Sequence, residues 1–255
     1  MTAVTLLQRW RDGATTLGAW LFLREPLLAE VAGRTGYDYV CIDMQHGLAS
    51  YADTTAMLQG LGRSTAAPIV RVPWNEPGII GRVLDAGALG VIIPMVNSAE
   101  DAVRAVAACR YAPAGARSFG PLTAMIRHGF RYLETANEQV ACIPMIETLE
   151  AVERIDEILA VPGIDAAYVG PSDLSMTMGL PPLADHDDAR FREALATVVS
   201  ACARHGIVPG VHASPALAEA RAKQGFRMIT VGYDQAPVMA ALRADLASSR
   251  SATER

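Results

Sequence analysis

Five ionisable side chains follow or end apolar, strand-like stretches of this 255-residue chain: Asp43, His46, Arg71, Glu147 and Asp173. The stretches themselves, such as YDYVCI and PIV, consist of residue types that fit a buried, pleated surface. A charged group at the end of a buried strand is costly unless it meets a partner of opposite charge or a ligand. Carboxylates, a guanidinium and an imidazole in such positions can bind anions and metal ions and can move protons.

Two of the carboxylates end consecutive strand candidates, in IPMIE and in YVGPSD. Neighbouring strands lie about 4.8 Å apart, so Glu147 and Asp173 can converge on one point. Two unpaired carboxylates would repel each other, and a divalent cation removes that repulsion; all-oxygen ligation suits magnesium or manganese. Each residue also has a structural alternative, since Glu147 could cap the next helix and Asp173 could be an acid favoured by a helix dipole.

The turn GPSDLS, which contains Gly170, Pro171 and Ser172, has the pattern of a helix start. Free N–H groups at such a start bind a carboxylate well. Together with a metal ion and Arg71, this turn would suit a 2-oxo acid. The structural alternatives are an Arg71 paired with a carboxylate of the core and a His46 bonded to a loop carbonyl. His212, which ends another strand candidate, fits either kind of role.

The elements that must position these residues recur along the whole chain as a short apolar strand, a turn and an amphipathic helical stretch. Apolar strands that alternate with helices predict a parallel sheet covered by helices, and eight such units predict a closed (β/α)8 TIM barrel. The alternative is an open doubly wound sheet, which the absence of GxGxxG after the first strand disfavours. The strand candidates are residues 16–23, 37–43, 68–72, 90–96, 140–147, 165–170, 207–212 and 227–232, and the helical stretches include 76–87, 98–110, 148–160, 186–205 and 215–224, with a long loop containing a helix over 112–138.

The bulk composition favours small-molecule chemistry. The net charge is −5, without a block of like charges, which argues against a nucleic-acid or membrane surface. The longest apolar run has nine residues, too short for a membrane span, and no secretory signal is recognisable, so we expect a cytoplasmic protein. Four cysteines without a CxxC pair predict buried reduced thiols. Lys223 is the only lysine of the sequence.

Six segments together resemble the class II pyruvate aldolases of the HpcH/HpaI family, which includes 4-hydroxy-2-oxoheptanedioate aldolase and 2-dehydro-3-deoxyglucarate aldolase. The resemblance covers residues 17–233 in order. No single segment is decisive, and the specificity comes from their number and order. The segments are YDYVCIDMQHG, PIVRVPWN, GVIIPMV, GARSFGP, IPMIET and YVGPSDLSMTMG.

The resemblance implies a single (β/α)8 barrel over residues 1–255, assembled as a homo-hexamer (a trimer of dimers) with the C-terminal helix exchanged between subunits. It implies a divalent metal ion (Mg²⁺, Mn²⁺ or Co²⁺), a 2-oxo acid donor and an aldehyde. By position, the resemblance implies a metal ion bound by Glu147 and Asp173, and acid/base catalysis by His46, which Asp43 orients. It implies that Arg71 stabilises the enolate and that the backbone of Ser172 and Asp173, within the GPSD turn, binds the substrate carboxylate. It also implies that Trp20 forms a wall of the pocket and that Asp85 contributes to the neighbouring subunit's site.

The sequence departs from the better-known members at Gln45, where they carry Glu, and at Met145, where they carry Gln. Both changes remove polar contacts near the expected metal, so the preferred donor or aldehyde can differ. We therefore expect a metal-dependent aldolase that acts on a pyruvate-type donor and an aldehyde. The alternatives are a citrate-lyase-like acyl lyase of the same barrel group, for which no basic coenzyme A cluster is visible, and a non-catalytic oxo-acid-binding protein.

Overall fold

The computed structural model describes residues 5–253. Its strands and helices alternate along the chain, and each strand is short, apolar and buried along nearly its whole length. The strands are β1 Thr16–Leu21, β2 Tyr39–Asp43, β3 Ala67–Arg71, β4 Gly90–Ile93, β5 Ala141–Ile146, β6 Ala166–Val169, β7 Val208–His212 and β8 Met228–Tyr233. The helices are α1 Leu6–Arg11, α2 Pro26–Arg34, α3 Tyr51–Leu61, α4 Pro77–Asp85, α5 Ala99–Cys109, α6 Leu122–His128, α7 Tyr132–Gln139, α8 Leu149–Glu153, α9 Ile155–Leu159, α10 Pro171–Thr177, α11 Ala189–His205, α12 Ala218–Lys223 and α13 Gln235–Thr253, with a 3₁₀ helix at Pro215–Leu217.

The eight strands form a closed barrel in which each strand pairs in parallel with the next and β8 closes on β1. This confirms the predicted (β/α)8 barrel and excludes the open doubly wound sheet. Parallel pairing brings all C-terminal strand ends to one face of the barrel, where the connecting loops and α10 begin. The register of β2 and β3 sets Asp43 directly opposite Arg71 on that face.

Side chains alternate between two layers that are mostly apolar, which explains the apolar composition of the strands. In β2, Val40 and Ile42 belong to the outer cluster beneath the helices, whereas Tyr39 and Cys41 fill the barrel interior. The same alternation makes Met145 an interior residue of β5. A barrel of eight strands is just wide enough to be filled by side chains. The charged groups Asp43 and Arg71 lie at the C-terminal ends of their strands.

The helices begin and end at local signals that the sequence carries. Ser50 and Asp53 form a capping box at the start of α3, and α11 ends at Gly206 in the left-handed region, with φ 67°. The predicted helix over residues 148–160 is instead the two short helices α8 and α9, because Arg154 leaves helical geometry with φ −103° and ψ 17°.

Three further features bear on expectations from the sequence. The four cysteines are buried free thiols, as predicted. Within residues 5–253, no helix combines the length and the apolarity that crossing a membrane requires. The segment 112–138 contains two helices, α6 and α7, rather than the single helix predicted there.

Candidate functional site

A two-bond ion pair between neighbouring strands forms the centre of the candidate site. Asp43 Oδ1 accepts from Arg71 Nε at 2.9 Å, and Asp43 Oδ2 accepts from Arg71 Nη2 at 2.5 Å. The side chains are almost completely buried, with residue exposures of 0% for Asp43 and 6% for Arg71. Burial of either charge alone would be strongly unfavourable, so each residue depends on the other. Arg71 therefore has the anionic partner that its apolar strand requires.

Three further donors surround the carboxylate of Asp43. Trp20 Nε1 donates to Oδ2 at 3.1 Å, and the main-chain N–H groups of Gln45 and His46 donate to Oδ1 at 2.9 and 3.3 Å. Burial by itself raises the pKa of Asp43, but the hydrogen bonds and the positive charge of Arg71 outweigh it and hold that pKa below its usual range. Asp43 is therefore a fixed anion that organises β1, β3 and the loop after β2.

The contact between His46 and Asp43 differs from the one predicted from the sequence. The main-chain N–H of His46 donates to Asp43, whereas the imidazole makes no hydrogen bond to any residue within 5–253. His46 is exposed at the C-terminal rim of the barrel. The reason is geometric, since the turn after β2 folds its own N–H groups back onto the carboxylate and sends the side chain outward. Asp43 thus fixes the loop that carries His46 rather than the orientation of its ring.

Trp20 lies below the ion pair and is 1% exposed. Its ring is 5.0 Å from the guanidinium carbon of Arg71, and it stacks on Tyr168 with ring centroids 5.6 Å apart. Met145 closes another side, since its sulfur lies 4.0 Å from Arg71 Nη1. The guanidinium is therefore held by an indole, a carboxylate and a thioether. Its Nη1 has no oxygen acceptor among the described residues.

Glu147 follows β5 and is 1% exposed. Its Oε1 accepts from the main-chain N–H of Met95 at 2.7 Å, and Met95 adopts the left-handed region with φ 55°, a conformation that is uncommon for a non-glycine residue. Burial raises the pKa of Glu147, and the nearby charge of Asp173 raises it further, while Arg71 and the Met95 N–H oppose this. Glu147 is therefore a buried carboxylate whose ionised form lacks a full set of partners.

Asp173 lies in the first turn of α10 and is half-buried, and Ser172 beside it is exposed. Gly170, just before α10, makes the close approach of this turn to Glu147 possible. A Cβ atom at Gly170 would lie 2.9 Å from Glu147 Oε2 and 2.9 Å from the terminal methyl of Met145. The lack of a side chain at this position therefore brings the helix start against the carboxylate.

The donor set fits a hard divalent cation that keeps open coordination positions. Glu147 and Asp173 supply carboxylate oxygens at the end of two adjacent strands, and their mutual repulsion is what a cation relieves. Among residues 5–253 no group of three or more His, Cys, Asp or Glu side chains could hold a metal ion. Magnesium and similar ions often use one or two protein carboxylates, with water and substrate completing the shell. The two carboxylates match that pattern.

Asp85, which the resemblance assigns to a neighbouring subunit's site, and Lys223, the single lysine of the sequence, lie away from this group. Asp85 ends α4 and therefore lies near the N-terminal end of the barrel, where its Oδ1 accepts from Arg117 Nη2 at 2.7 Å. Lys223 ends α12 just before β8, on the same far side, and pairs with Glu219 at 2.6 Å on the surface. Neither contacts Arg71 or Glu147 within the described chain. The departure at Gln45 leaves its Oε1 buried without a hydrogen-bond partner in residues 5–253.

The structure also adds polar groups that the sequence interpretation did not assign. Met95 contributes a main-chain N–H, which side-chain types cannot reveal. Tyr168, Thr230 and His212 form a hydrogen-bonded group inside the barrel, next to Trp20. Tyr and Thr are ordinary strand residues, so only the alternation of inner and outer positions could have indicated them.

Comparison of the sequence with known proteins identifies similar proteins of one family. The family model described as HpcH/HpaI aldolase/citrate lyase matches residues 16–241. A hydroxypyruvate/pyruvate aldolase of Rhizorhabdus wittichii is 40% identical over 243 residues, covering 95% of this chain and 97% of the relative. A 4-hydroxy-2-oxo-heptane-1,7-dioate aldolase of Salmonella dublin is 35% identical over 230 residues, covering 88% and 86%.

Among solved structures, a HpcH/HpaI aldolase/citrate lyase family protein from Burkholderia cenocepacia J2315 superposes with a TM-score of 0.88 at 34% identity. The match covers 96% of this chain and 98% of that one. The similarity therefore extends over the whole barrel and not only over the site. By sequence and by fold, the chain belongs to the HpcH/HpaI aldolase/citrate lyase family.

Proposed function

We propose that the protein is a class II aldolase that catalyses reversible aldol addition and cleavage between pyruvate or hydroxypyruvate and an aldehyde, giving 4-hydroxy-2-oxo acids. The observation that carries this proposal is the buried Arg71, held by Asp43 on one side and close enough to Glu147 for the two charges to interact. A guanidinium fixed beside a carboxylate pair suits a ligand with a carboxylate and an adjacent keto oxygen. The curated relatives named above are aldolases.

Glu147 and Asp173 are the residues that we assign to the metal, as Mg²⁺, Mn²⁺ or Co²⁺. A bound divalent cation would act as a Lewis acid on the keto group of the donor. The N–H groups of Ser172 and Asp173, in the turn that Gly170 and Pro171 open, are assigned to the donor carboxylate. The N–H of Gly170 itself donates to the carbonyl of Ile146 at 3.3 Å.

Arg71 stabilises negative charge that develops on the keto oxygen when the donor loses a proton. The Nε hydrogen and one Nη2 hydrogen are bonded to Asp43, which leaves Nη1, near only the sulfur of Met145, and the second Nη2 hydrogen to donate to substrate. Because Asp43 and Trp20 hold the guanidinium in place, no reorganisation is needed when charge develops. Trp20 forms the wall beneath this position.

His46 is assigned the proton transfer at the donor and at the aldehyde oxygen. The imidazole is exposed at the rim, within the loop that Asp43 anchors, so substrate can reach it and water can carry the proton. Asp43 has a positioning role in this scheme, since it holds the backbone of the loop and the guanidinium of Arg71 in one arrangement.

We assign the whole of residues 1–255 to one aldolase unit that works in the cytoplasm as a homo-hexamer, a trimer of dimers. Support comes from α13, which exposes large apolar side chains on one face: Val238, Met239, Leu242 and Leu246. Exchange of this helix with a neighbouring subunit would cover that face. Asp85 lies too far from its own site to act there, so any catalytic contribution from it would be made to a neighbour.

The test is product formation by the purified protein with pyruvate or hydroxypyruvate, several aldehydes and each of the three metals. We expect turnover in both the aldol and the retro-aldol direction. Chelator should abolish it, and added Mn²⁺ or Mg²⁺ should restore it. Glu147→Gln and Asp173→Asn should remain folded, by circular dichroism, and should lose Mn²⁺ binding in calorimetry as well as turnover. Full turnover in excess chelator, with metal absence verified by mass spectrometry, would refute the metal assignment.

Assays on the same purified protein distinguish the aldolase from the two alternative functions. Cleavage of a coenzyme A thioester in the absence of aldol turnover would favour the acyl-lyase alternative. Tight binding of oxo acids with no turnover of any pair, in each metal, would favour the binding-protein alternative. The size of the particle, measured by light scattering with Leu242→Glu as the disrupting variant, tests the hexamer independently of activity.

A further inference from the structure

A chain of hydrogen bonds runs through the barrel interior and takes no part in the mechanism above. Tyr39 Oη lies 2.9 Å from Thr230 Oγ1, Tyr168 Oη donates to Thr230 Oγ1 at 2.5 Å, and Tyr168 Oη lies 3.2 Å from His212 Nδ1. Tyr39, Tyr168 and Thr230 are each 0% exposed. Buried hydroxyl groups are tolerated only when they are paired, so the chain holds its members in defined positions.

The chain also places the proton on the imidazole of His212. Tyr168 has one hydroxyl proton and donates it to Thr230, so its contact with His212 requires the proton on Nδ1. The other ring nitrogen, Nε2, then carries a lone pair. Burial, together with the positive charge of Arg71, lowers the pKa of His212 to about 4, so the imidazole is neutral at physiological pH.

His212 lies at the open end of the barrel beside the catalytic residues. It is the last residue of β7, its ring stands edge-on to Trp20 at 4.8 Å between centroids, and Tyr233 lies 5.2 Å away on another side. Trp20 in turn donates to Asp43. The ring is partly exposed, and Nε2 has no hydrogen-bond partner among residues 5–253. A neutral acceptor is therefore present next to the ion pair.

This acceptor differs in kind from the other polar groups of the site. Arg71 and the N–H groups of α10 are donors and recognise the oxygens of an oxo acid. The Asp43 carboxylate already accepts five hydrogen bonds, and Glu147 and Asp173 are assigned to the cation. An unprotonated imidazole nitrogen accepts a hydrogen bond, and hydroxyl groups are the hydrogen-bond donors that hydroxy acids and hydroxyaldehydes carry.

We propose that His212 Nε2 accepts a hydrogen bond from a hydroxyl group of the substrate and thereby favours hydroxyl-bearing substrates over their unsubstituted analogues. This inference rests on the proposed aldolase function and specifies its substrate class. Two sources offer the same chemistry: the C3 hydroxyl of hydroxypyruvate as donor, or the 2-hydroxyl of an aldehyde acceptor. Tyr39, Thr230 and Tyr168 serve as positioning residues that maintain the tautomer.

The experiment compares matched substrate pairs. One arm uses hydroxypyruvate against pyruvate with propanal as the common acceptor. The other uses lactaldehyde against propanal with pyruvate as the common donor. In the arm that contains the bonded hydroxyl, His212→Leu should reduce the ratio of kcat/KM for the hydroxyl-bearing to the unsubstituted substrate by about three- to tenfold, the range of one neutral hydrogen bond. His212→Gln, whose amide retains an acceptor, should preserve part of the ratio.

Tyr168→Phe provides a second variant, since it keeps His212 and removes the hydroxyl group that bonds both Thr230 and His212 Nδ1. It should lower the same ratio in the same arm. His205→Leu, on the outer surface of α11, should leave the ratio unchanged. Ratios equal to wild type in both arms for His212→Leu, or for Tyr168→Phe should His212→Leu fail to fold, would overturn the proposal.

A binding measurement separates this proposal from the aldolase assignment. In calorimetry with Mn²⁺ present, His212→Leu should weaken the binding of hydroxypyruvate relative to pyruvate, or of lactaldehyde relative to propanal, by the same factor. If no donor and aldehyde pair is turned over, but the wild type still prefers the hydroxyl-bearing ligand and His212→Leu removes that preference, the aldolase activity alone is refuted. Turnover with no preference in rate or binding would refute the role of His212 only.

Discussion

The main-chain N–H of His46, and not its imidazole, donates to the carboxylate of Asp43, at 3.3 Å. This arrangement separates two roles that the resemblance to the family combines. Removal of the imidazole leaves the loop anchored, whereas a change at Asp43 disturbs the loop, Trp20 and Arg71 together. The two residues therefore respond differently to substitution.

His46→Ala should retain the fold and the binding of Mn²⁺ and pyruvate, because the backbone bond to Asp43 does not depend on the side chain. Turnover should fall by about 10²–10⁴-fold, the usual cost of losing a general acid or base. The measurement is aldol turnover together with exchange of the pyruvate methyl protons in deuterium oxide. Wild-type exchange and turnover in this variant would leave the imidazole without a catalytic role.

Asp43→Asn should be the more damaging change, since it leaves the buried charge of Arg71 without its anion. Breaking a buried pair from one side costs about 3–5 kcal/mol, so we expect a lower free energy of unfolding as well as lost turnover. Denaturant unfolding with circular dichroism measures the first effect. If the two residues instead acted as one catalytic unit, the double variant His46→Ala/Asp43→Asn would turn over no more slowly than His46→Ala.

The sequence predicts the barrel and the positions of its polar strand ends, because apolar runs of strand length alternate with helical stretches over the whole chain. The sequence predicts a strand over residues 37–43, and the observed strand is Tyr39–Asp43. Its polar end lies at the C-terminal face for the topological reason given above. The register then pairs Asp43 with Arg71, which residue types alone left open.

The remainder of the site depends on features that residue types do not carry. The direction of the His46 side chain follows from the turn geometry after β2, and the donor to Glu147 is the backbone of Met95 in a left-handed conformation. The approach of Gly170 to Glu147 follows from packing between strands that are distant in sequence. Tertiary structure decides these contacts, so local patterns cannot predict them.

Lys223 tests the class of aldolase. A Schiff-base enzyme requires a desolvated lysine at the substrate, whereas Lys223 is a surface residue paired with Glu219 on the far side of the barrel. Lys223→Ala should therefore retain wild-type turnover, and borohydride with pyruvate should leave no adduct detectable by mass spectrometry. A pyruvate adduct trapped on Lys223 would contradict the class II assignment.

Gly170→Ala tests whether the close approach of the α10 turn to Glu147 matters for metal binding. The added methyl group would lie 2.9 Å from Glu147 Oε2, so the carboxylate or the turn must move. Second-sphere disturbance of this kind weakens metal affinity by about 10–100-fold, and we expect that loss for Mn²⁺ in calorimetry with the fold retained. Gly78→Ala, which has open space around its Cβ position, is the matched control and should bind Mn²⁺ as wild type. Equal affinity in both variants would show that the glycine is not required.

The largely enclosed imidazole of His212 should make the protein less stable in mild acid. Its pKa is about 4 in the folded chain, below the ordinary 6.5, because of burial and the charge of Arg71, with Asp43 opposing them. Between pH 6.5 and pH 4 the unfolded chain therefore binds a proton that the folded chain does not. This contribution to the free energy of unfolding is fully present above pH 6.5 and is lost as the pH falls toward 4. At about 1.4 kcal/mol per pKa unit, this contributes at most about 3 kcal/mol.

His212→Gln, which has no titratable ring, should show a smaller loss of unfolding free energy between pH 7.5 and pH 4.5 than the wild type. Lys223→Ala, on the surface, should keep the wild-type dependence. The quantity to compare is the change with pH, measured by urea unfolding, because the substitution also alters stability at every pH. The same pH dependence in His212→Gln and wild type would mean that folding does not lower the pKa of this imidazole.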